Sequence, residues 1–252
     1  MKGLNLRSEI MELISTAVSK SQRPELFRQP LVGFSAADDP CYGQLTEIVG
    51  PWHLRPQDIL PQAKTIVSFF IPFSEQVVLS NRGQDRPSPA WAESYVEANK
   101  LINHISEEII DFLQSKGIGA ATVRATHTYD ESTLQAGWSH RSAAYIAGLG
   151  RFGVNRMLIT PVGCAGRYGS VFIEAEITPD TRPQDEYCLY YQDGSCLDCI
   201  AVCPVNALGV DSFEKFTCHA RLLENAGAFT DMGRCDVCGK CVVAGPCAII
   251  KE

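Results

Sequence analysis

Nine cysteines crowd the last 65 residues of this 252-residue chain: Cys188, Cys196, Cys199, Cys203, Cys218, Cys235, Cys238, Cys241 and Cys247. Thiolates at two- and three-residue gaps are soft ligands suited to iron–sulfur clusters or zinc. The run Cys196-Leu-Asp-Cys199-Ile-Ala-Val-Cys203-Pro204 carries the last three cysteines and the proline of the bacterial ferredoxin pattern Cys-x2-Cys-x2-Cys-x3-Cys-Pro. The first cysteine of that pattern should stand at position 193, where Asp193 is found, and Cys188 is the upstream replacement. A second group reads Cys235-Asp-Val-Cys238-Gly-Lys-Cys241, followed by Cys247, with Cys218 between the groups. Four thiolates hold each 4Fe–4S cluster, so nine cysteines predict two clusters with one thiol to spare. Because the fourth cysteine of the ferredoxin run ligates the other cluster, the expected first set is Cys196, Cys199, Cys241 and either Cys188 or Cys247. The expected second set is Cys203, Cys218, Cys235 and Cys238. Zinc is the competing expectation, but zinc motifs use two pairs about 12–20 residues apart and do not require Cys-Pro. An odd total of 11 cysteines is a poor disulfide framework. Cys41 and Cys164, outside the dense region, read as ordinary buried thiols.

Gly148-Leu149-Gly150-Arg151-Phe152-Gly153 is a literal G-x-G-x-x-G. A dinucleotide fingerprint follows a strand and opens a helix. Here a helical pattern precedes it and a strand pattern follows, so a helix cap with a tight turn, or close approach to another large cofactor, fits better. Tyr129, Asp130 and Glu131 follow a predicted strand and include groups that could deliver a proton to a reduced substrate; a solvated turn capped by Asp130 is the bland alternative. His127 and His140 are further candidates for a cofactor or substrate. His219, beside Cys218, is positioned to donate to a cluster sulfur. Trp52 and His53 sit in a Pro-rich loop that reads as a lid or as packing. Arg141 and Arg151 flank the glycine motif. No phosphate-binding, zinc-protease or serine-hydrolase signature is present.

These residues need elements to position them. Residues 5–20 and 91–116 show the 3.6-residue period of amphipathic helices, the second marked by Ile102, Ile105, Ile109 and Leu113. Residues 64–73 read as a buried strand, 119–126, 156–160 and 170–177 as further strands, and 139–147 as a short helix. Residues 21–63 read as loop. The polar stretch 178–187 reads as a linker, dividing an α/β region at 1–182 from a Cys-rich region at 183–252. Net charge is −7, and residues 183–252 carry 5 Lys and Arg against 10 Asp and Glu, which argues against a broad nucleic-acid surface. The first twenty residues are interrupted by charge at Lys2, Arg7, Glu9 and Glu12. They predict no secretory signal, and a cytoplasmic, reducing compartment is expected.

The segment Ala147-Gly148-Leu149-Gly150-x-x-Gly153-x-Asn155, then Leu158-Ile159, Gly169-Ser170 and Glu176-Ile177, resembles the epoxyqueuosine reductase family. So do Cys199-x3-Cys203-Pro204, Cys218 and Cys235-Asp-x-Cys238. The resemblance implies an α+β protein: a nitroreductase-like, cobalamin-binding α/β sandwich followed by a ferredoxin-like domain with two 4Fe–4S clusters. Reductive dehalogenases are similar in this respect. It implies a corrinoid lying against Gly148, Leu149, Gly150, Gly153, Asn155 and Ser170. Its acidic proton donor would fall on Leu134, so Asp130 and Glu131 are the nearest acids. The expected function is a cobalamin-dependent iron–sulfur reductase of a small substrate, fed by an external electron donor. The alternatives are an electron-transfer protein for a partner such as a corrinoid protein, and a tRNA epoxyqueuosine reductase. Neither a nucleic-acid nor a membrane partner is expected.

Overall fold

The computed structural model describes residues 2–83, 85–125 and 129–251. Helix α1 (Lys2–Ser19) leads into strand β1 (Leu31–Ala36), helices α2 (Pro40–Ile48) and α3 (Pro56–Ile59), and strand β2 (Thr65–Pro72). Helices α4 (Glu75–Ser80) and α5 (Pro89–Ser115) precede strand β3 (Ala120–Thr122) and the hairpin β4 (Tyr129–Asp130) and β5 (Gln135–Ala136). Then come α6 (His140–Ile146), β6 (Arg151–Phe152), β7 (Leu158–Ile159) and β8 (Gly166–Ile173). The cysteine-rich region holds the helices α7 (Leu189–Asp193), α8 (Asp198–Ala201), α9 (Lys215–Ala226) and α10 (Lys240–Val243).

The main sheet has strand order β1-β2-β8-β3, and every neighbour pair is antiparallel. All eight residues of β2 are buried, as an apolar run between two neighbours and under helices on both faces must be. Alternation along β8 sets those faces. Gly169 lets the ring of Phe69 and Ile102 of α5 approach one face. Phe172 on the other meets Trp138, just ahead of α6, edge-on at 4.7 Å. Helix α5 starts with Pro89 after Ser88, whose hydroxyl accepts from the Trp91 N–H at 3.1 Å. It ends before Gly117 at φ +73°, a conformation glycine takes without strain.

Two sequence expectations change. Residues 21–63 are not mainly loop: β1 pairs with β2 from Leu31↔Phe70 to Ala36↔Thr65. Gly33 in the middle of that strand is required because a Cβ there would meet the Ala147 carbonyl at 2.4 Å. The strand expected at 170–177 runs four residues earlier, at Gly166–Ile173, since Gly166 also allows a close backbone approach, with Ile71 O at 2.3 Å from its would-be Cβ.

One apolar cluster joins α1, α5 and the sheet to Cys188, Cys199, Leu208, Phe229, Cys235 and Val237. Buried polar links reinforce it. Asn81 Nδ2 donates to Cys238 O at 2.9 Å, and Lys240 Nζ donates to Asn81 O at 2.8 Å. Tyr95 OH donates to Asp236 at 2.8 Å. Among the described residues no helix is long and apolar enough to cross a membrane.

Candidate redox site

The thiols gather into two neighbouring groups. Cys188 at the N-terminus of α7, Cys196 and Cys199 around α8, and Cys247 on the turn Pro246–Ala248 line one nearly enclosed pocket. Val154, Asn155 and Ile159 form its opposite wall. The Cys199 thiol is pushed up to about 11 by burial and then by Cys247, Cys188 and Cys196. Sequence spacing leaves Cys188 and Cys247 as alternatives; the fold delivers both.

The second group is Cys203, Cys218, Cys238 and Cys241. Burial, then Cys238, Cys218, Cys203 and Cys199, push Cys241 up to about 12. Cys218, on α9, rises to about 11 from burial, then from Cys238 and Cys203. The Ala207 N–H donates to Cys203 Sγ at 3.2 Å. Cys241, expected with Cys196 and Cys199, has Cys238, Cys218 and Cys203 as its stronger thiol neighbours, ahead of Cys199. Cys235, expected beside Cys238, is fully buried, 3.6 Å from Ala92 O in α5, and its thiol is raised to about 11 by burial and then by Asp236.

Thiolates crowded in a dry pocket repel one another unless a cation compensates them. Soft sulfur sets of four, without oxygen ligands, fit iron–sulfur clusters. Among the described residues no three His, Cys, Asp or Glu side chains converge tightly enough for a single metal ion.

The pocket wall holds a further thiol. Asn155 Nδ2 donates to Cys164 Sγ at 3.4 Å and reaches Cys247 Sγ at 3.9 Å. The Cys164 N–H donates to Cys247 O at 2.9 Å, and Ala165 N–H to Ala248 O at 3.2 Å. Cys164 is raised because it shares its hydrogen with Cys247 and is buried; Cys247 is lowered because Cys164 donates to it. Sequence spacing connects neither Cys164 nor Asn155 with the thiol groups.

The glycine motif closes a helix. Gly148 N–H bonds to Tyr145 O at 3.0 Å and Leu149 N–H to Ala144 O at 3.0 Å, the bond pair of a Schellman cap with Gly148 at φ +79°. A Cβ on Gly148 would meet Thr181 O at 2.6 Å, one on Gly150 Ile159 O at 2.1 Å, and one on Gly153 Ile159 Cδ1 at 2.6 Å. Leu149 packs with Phe70, Ala144, Leu158 and Tyr168. Ser170 is fully buried; its hydroxyl accepts from Trp138 Nε1 at 2.9 Å and bonds His140 Nδ1 at 2.8 Å. The chain itself fills the space beside these residues, and Asn155 faces thiols. As a set they do not fit a corrinoid. The open depression beside them, about 330 Å³ between Tyr145, Arg151, Phe152, Glu186 and Tyr191, is bridged by the Arg151–Glu186 ion pair.

The acid candidates also separate. Asp130 Oδ1 accepts from the backbone N–H and the hydroxyl of both Ser132 and Thr133, at 2.6–3.0 Å. Those donors, Ser132 first, lower its carboxyl to about 2. These bonds make it a turn anchor, the alternative that the sequence also offers to a proton donor. Glu131 is 69% exposed and pairs with Arg234 at 3.0 Å. Tyr129 differs: its hydroxyl accepts from Arg234 at 2.9 Å and shares a hydrogen bond with His219 Nε2 at 3.1 Å. Burial raises its phenol. His219 thus meets Tyr129, where sequence suggests a sulfur. His127 lies outside the described residues.

His53 is buried, with Ser139 N–H donating to its Nε2 at 3.2 Å, and it packs on Trp138 at 5.4 Å; its role is packing. Arg141 donates to Arg156 O at 2.8 Å. Burial lowers His140 to about 4 from 6.5. The unfolded chain then binds a proton that the native chain does not. Stability should fall as pH drops through that window, by on the order of 1 kcal/mol per pH unit. Urea midpoints at pH 7 and 5 check this: His140→Gln should flatten the slope, and an unchanged slope would place its origin elsewhere.

No protein-family model matches the chain, and no curated protein matches it. Solved structures do. An epoxyqueuosine reductase from Streptococcus thermophilus superimposes with a TM-score of 0.63 at 17% identity, over 96% of this chain and 66% of that one. One from Bacillus subtilis, with its catalytic aspartate loop swung out of the active site, gives 0.59 at 21% identity, over 96% and 65%. A catabolic reductive dehalogenase gives 0.53 at 16% identity, over 75% and 26%. The chain spans about two thirds of the length of the epoxyqueuosine reductases it matches. At these identities the likeness is one of architecture: this chain has the fold that epoxyqueuosine reductases carry, in a mixed α/β form shared in part with reductive dehalogenases.

Proposed function

We propose that the protein is an iron–sulfur reductase whose region 183–252 holds two 4Fe–4S clusters. The observation that supports this reading is one pocket lined by four thiols, Cys188, Cys196, Cys199 and Cys247, beside further thiols that perturb one another, Cys203, Cys218, Cys238 and Cys241. Cys188, Cys196, Cys199 and Cys247 would hold one cluster; Cys203, Cys218, Cys238 and Cys241 would hold the other. Such clusters supply one-electron transfer at potentials set by charge, hydrogen bonds and exposure. The chain supplies the rest. Cys199 lies close enough to Cys241 to raise its thiol, so the two sites adjoin. Val154 and Ile159 give the first group an apolar wall. Tyr129 holds a proton at its phenol oxygen, oriented by Arg234 and by His219, the residue that follows Cys218. It is the group best placed to protonate a small reduced substrate.

The reductase fold of the neighbours supports the enzymatic reading. A second reading, electron transfer to a partner such as a corrinoid protein, is favoured by the filled glycine motif. Free thiols throughout suit a reducing, cytoplasmic setting, and the acidic tail makes tRNA the weakest substrate proposal.

Anaerobic reconstitution with iron and sulfide, followed by metal analysis, tests the proposal. Two clusters' worth of iron is expected; zinc alone, or no iron retained, would reject it. Optical titration of the loaded protein with cobalamin separates the readings. Stoichiometric binding supports a corrinoid enzyme, and none supports electron transfer.

A further inference from the structure

We propose that Cys164 and Asn155 are positioning residues for the Cys247 ligand, together setting the reduction potential of the first cluster. The inference rests on the cluster reading above and adds two residues that ligate nothing.

Cys164 is fully buried and Asn155 is 5% exposed, so both donate where water does not compete. The Asn155 amide is forked between the two sulfurs, at 3.4 Å to Cys164 and 3.9 Å to Cys247. Its own carbonyl oxygen accepts from Met157 N–H at 3.0 Å, which fixes the amide with its nitrogen toward the sulfurs. The backbone bonds from Cys164 to Cys247 and from Ala165 to Ala248 hold the two segments in register. Gly163 permits that approach: a Cβ there would meet Ala248 O at 2.4 Å, at φ +104°. The other acceptor near the Cys164 thiol is Val242 O at 3.7 Å. Once Cys247 is bound as a thiolate, the charged sulfur is the stronger acceptor. Hydrogen bonds to a ligand sulfur stabilise the extra electron and raise the potential.

Redox titration of the reconstituted full chain, followed by electron paramagnetic resonance, tests this with Cys164→Ala, Cys164→Ser and Asn155→Ala. Iron content should stay at the wild-type value in all three. One of the two cluster signals should move to more negative potential in Cys164→Ala and Asn155→Ala, while the other stays. Cys164→Ser, which keeps a donor, should recover part of the shift. Unmoved potentials in both alanine variants would overturn the proposal. So would loss of one cluster's iron in Cys164→Ala, since Cys164 would then be a ligand. A wild-type chain that retains no iron would instead reject the cluster reading itself.

Discussion

Replacing Cys241 with alanine should halve the iron held by the reconstituted protein, while replacing Cys235 should leave it intact. Both residues belong to the run Cys235-Asp-Val-Cys238-Gly-Lys-Cys241, and chain spacing alone treats them as equals. The fold separates them. Cys241 is raised by three other thiols of its group besides burial, whereas Cys235 sits against the α5 carbonyl of Ala92. Losing one of four thiolates leaves an iron without its anionic ligand, and cluster sites with a missing thiolate are held weakly. Losing the Cys235 sulfur removes only a small buried group, a stability cost of about 1 kcal/mol. Cys199→Ala should remove the other half of the iron. Iron and sulfide per chain after anaerobic desalting measure all three. Retention of full iron in Cys241→Ala with loss in Cys235→Ala would restore the grouping that spacing suggests.

Gly239→Ala should disable the second group from within the backbone. Gly239 lies between Cys238 and Cys241 at φ +73°, and a Cβ there would stand 2.3 Å from the Trp91 ring. Trp91 cannot retreat, being 6% exposed and packed edge-on against Phe73 at 5.1 Å. The left-handed backbone costs an alanine about 1–2 kcal/mol, and overpacking adds about 1–3 kcal/mol. Both flanking cysteines would shift. Gly194 supplies the control: its backbone is left-handed too, at φ +78° and ψ +6°, but nothing lies within 4 Å of its would-be Cβ. Gly194→Ala should therefore cost only the backbone strain, about 1–2 kcal/mol, and keep its iron. Urea unfolding with iron analysis distinguishes the two. Equal behaviour of the two variants would show that the Trp91 contact is immaterial.

Long periodic segments are legible in the residue pattern alone. The apolar stripe of α5 and the unbroken run of β2 lie within two residues of where their patterns put them. Short elements are not. Strand β1 is six residues around an interior glycine, too brief for a period to emerge, and its place comes from pairing with β2. The literal G-x-G-x-x-G is legible as a helix cap from its order between a helix and a strand, but glycine marks close approach without saying to what. Here the approach is to the chain's own carbonyls. Thiol grouping escapes for want of tertiary information. Cys247 reaches Cys188 only because its turn pairs with residues 164–165, a link no local spacing encodes.

That link has a consequence for biogenesis. The four thiols of the first pocket span residues 188 to 247, and the wall they close against begins at Val154. A nascent chain emerging from the ribosome can form the β2–β8 pairing early. It cannot close this pocket until the segment around Cys247 has been released. Contacts of such sequence separation form late, after their loop entropy has been met. In the cluster reading, metal loading then follows the release of the Cys247 segment, and a scarcity of iron would leave a population with a finished sheet and an unsealed pocket for proteases to clear.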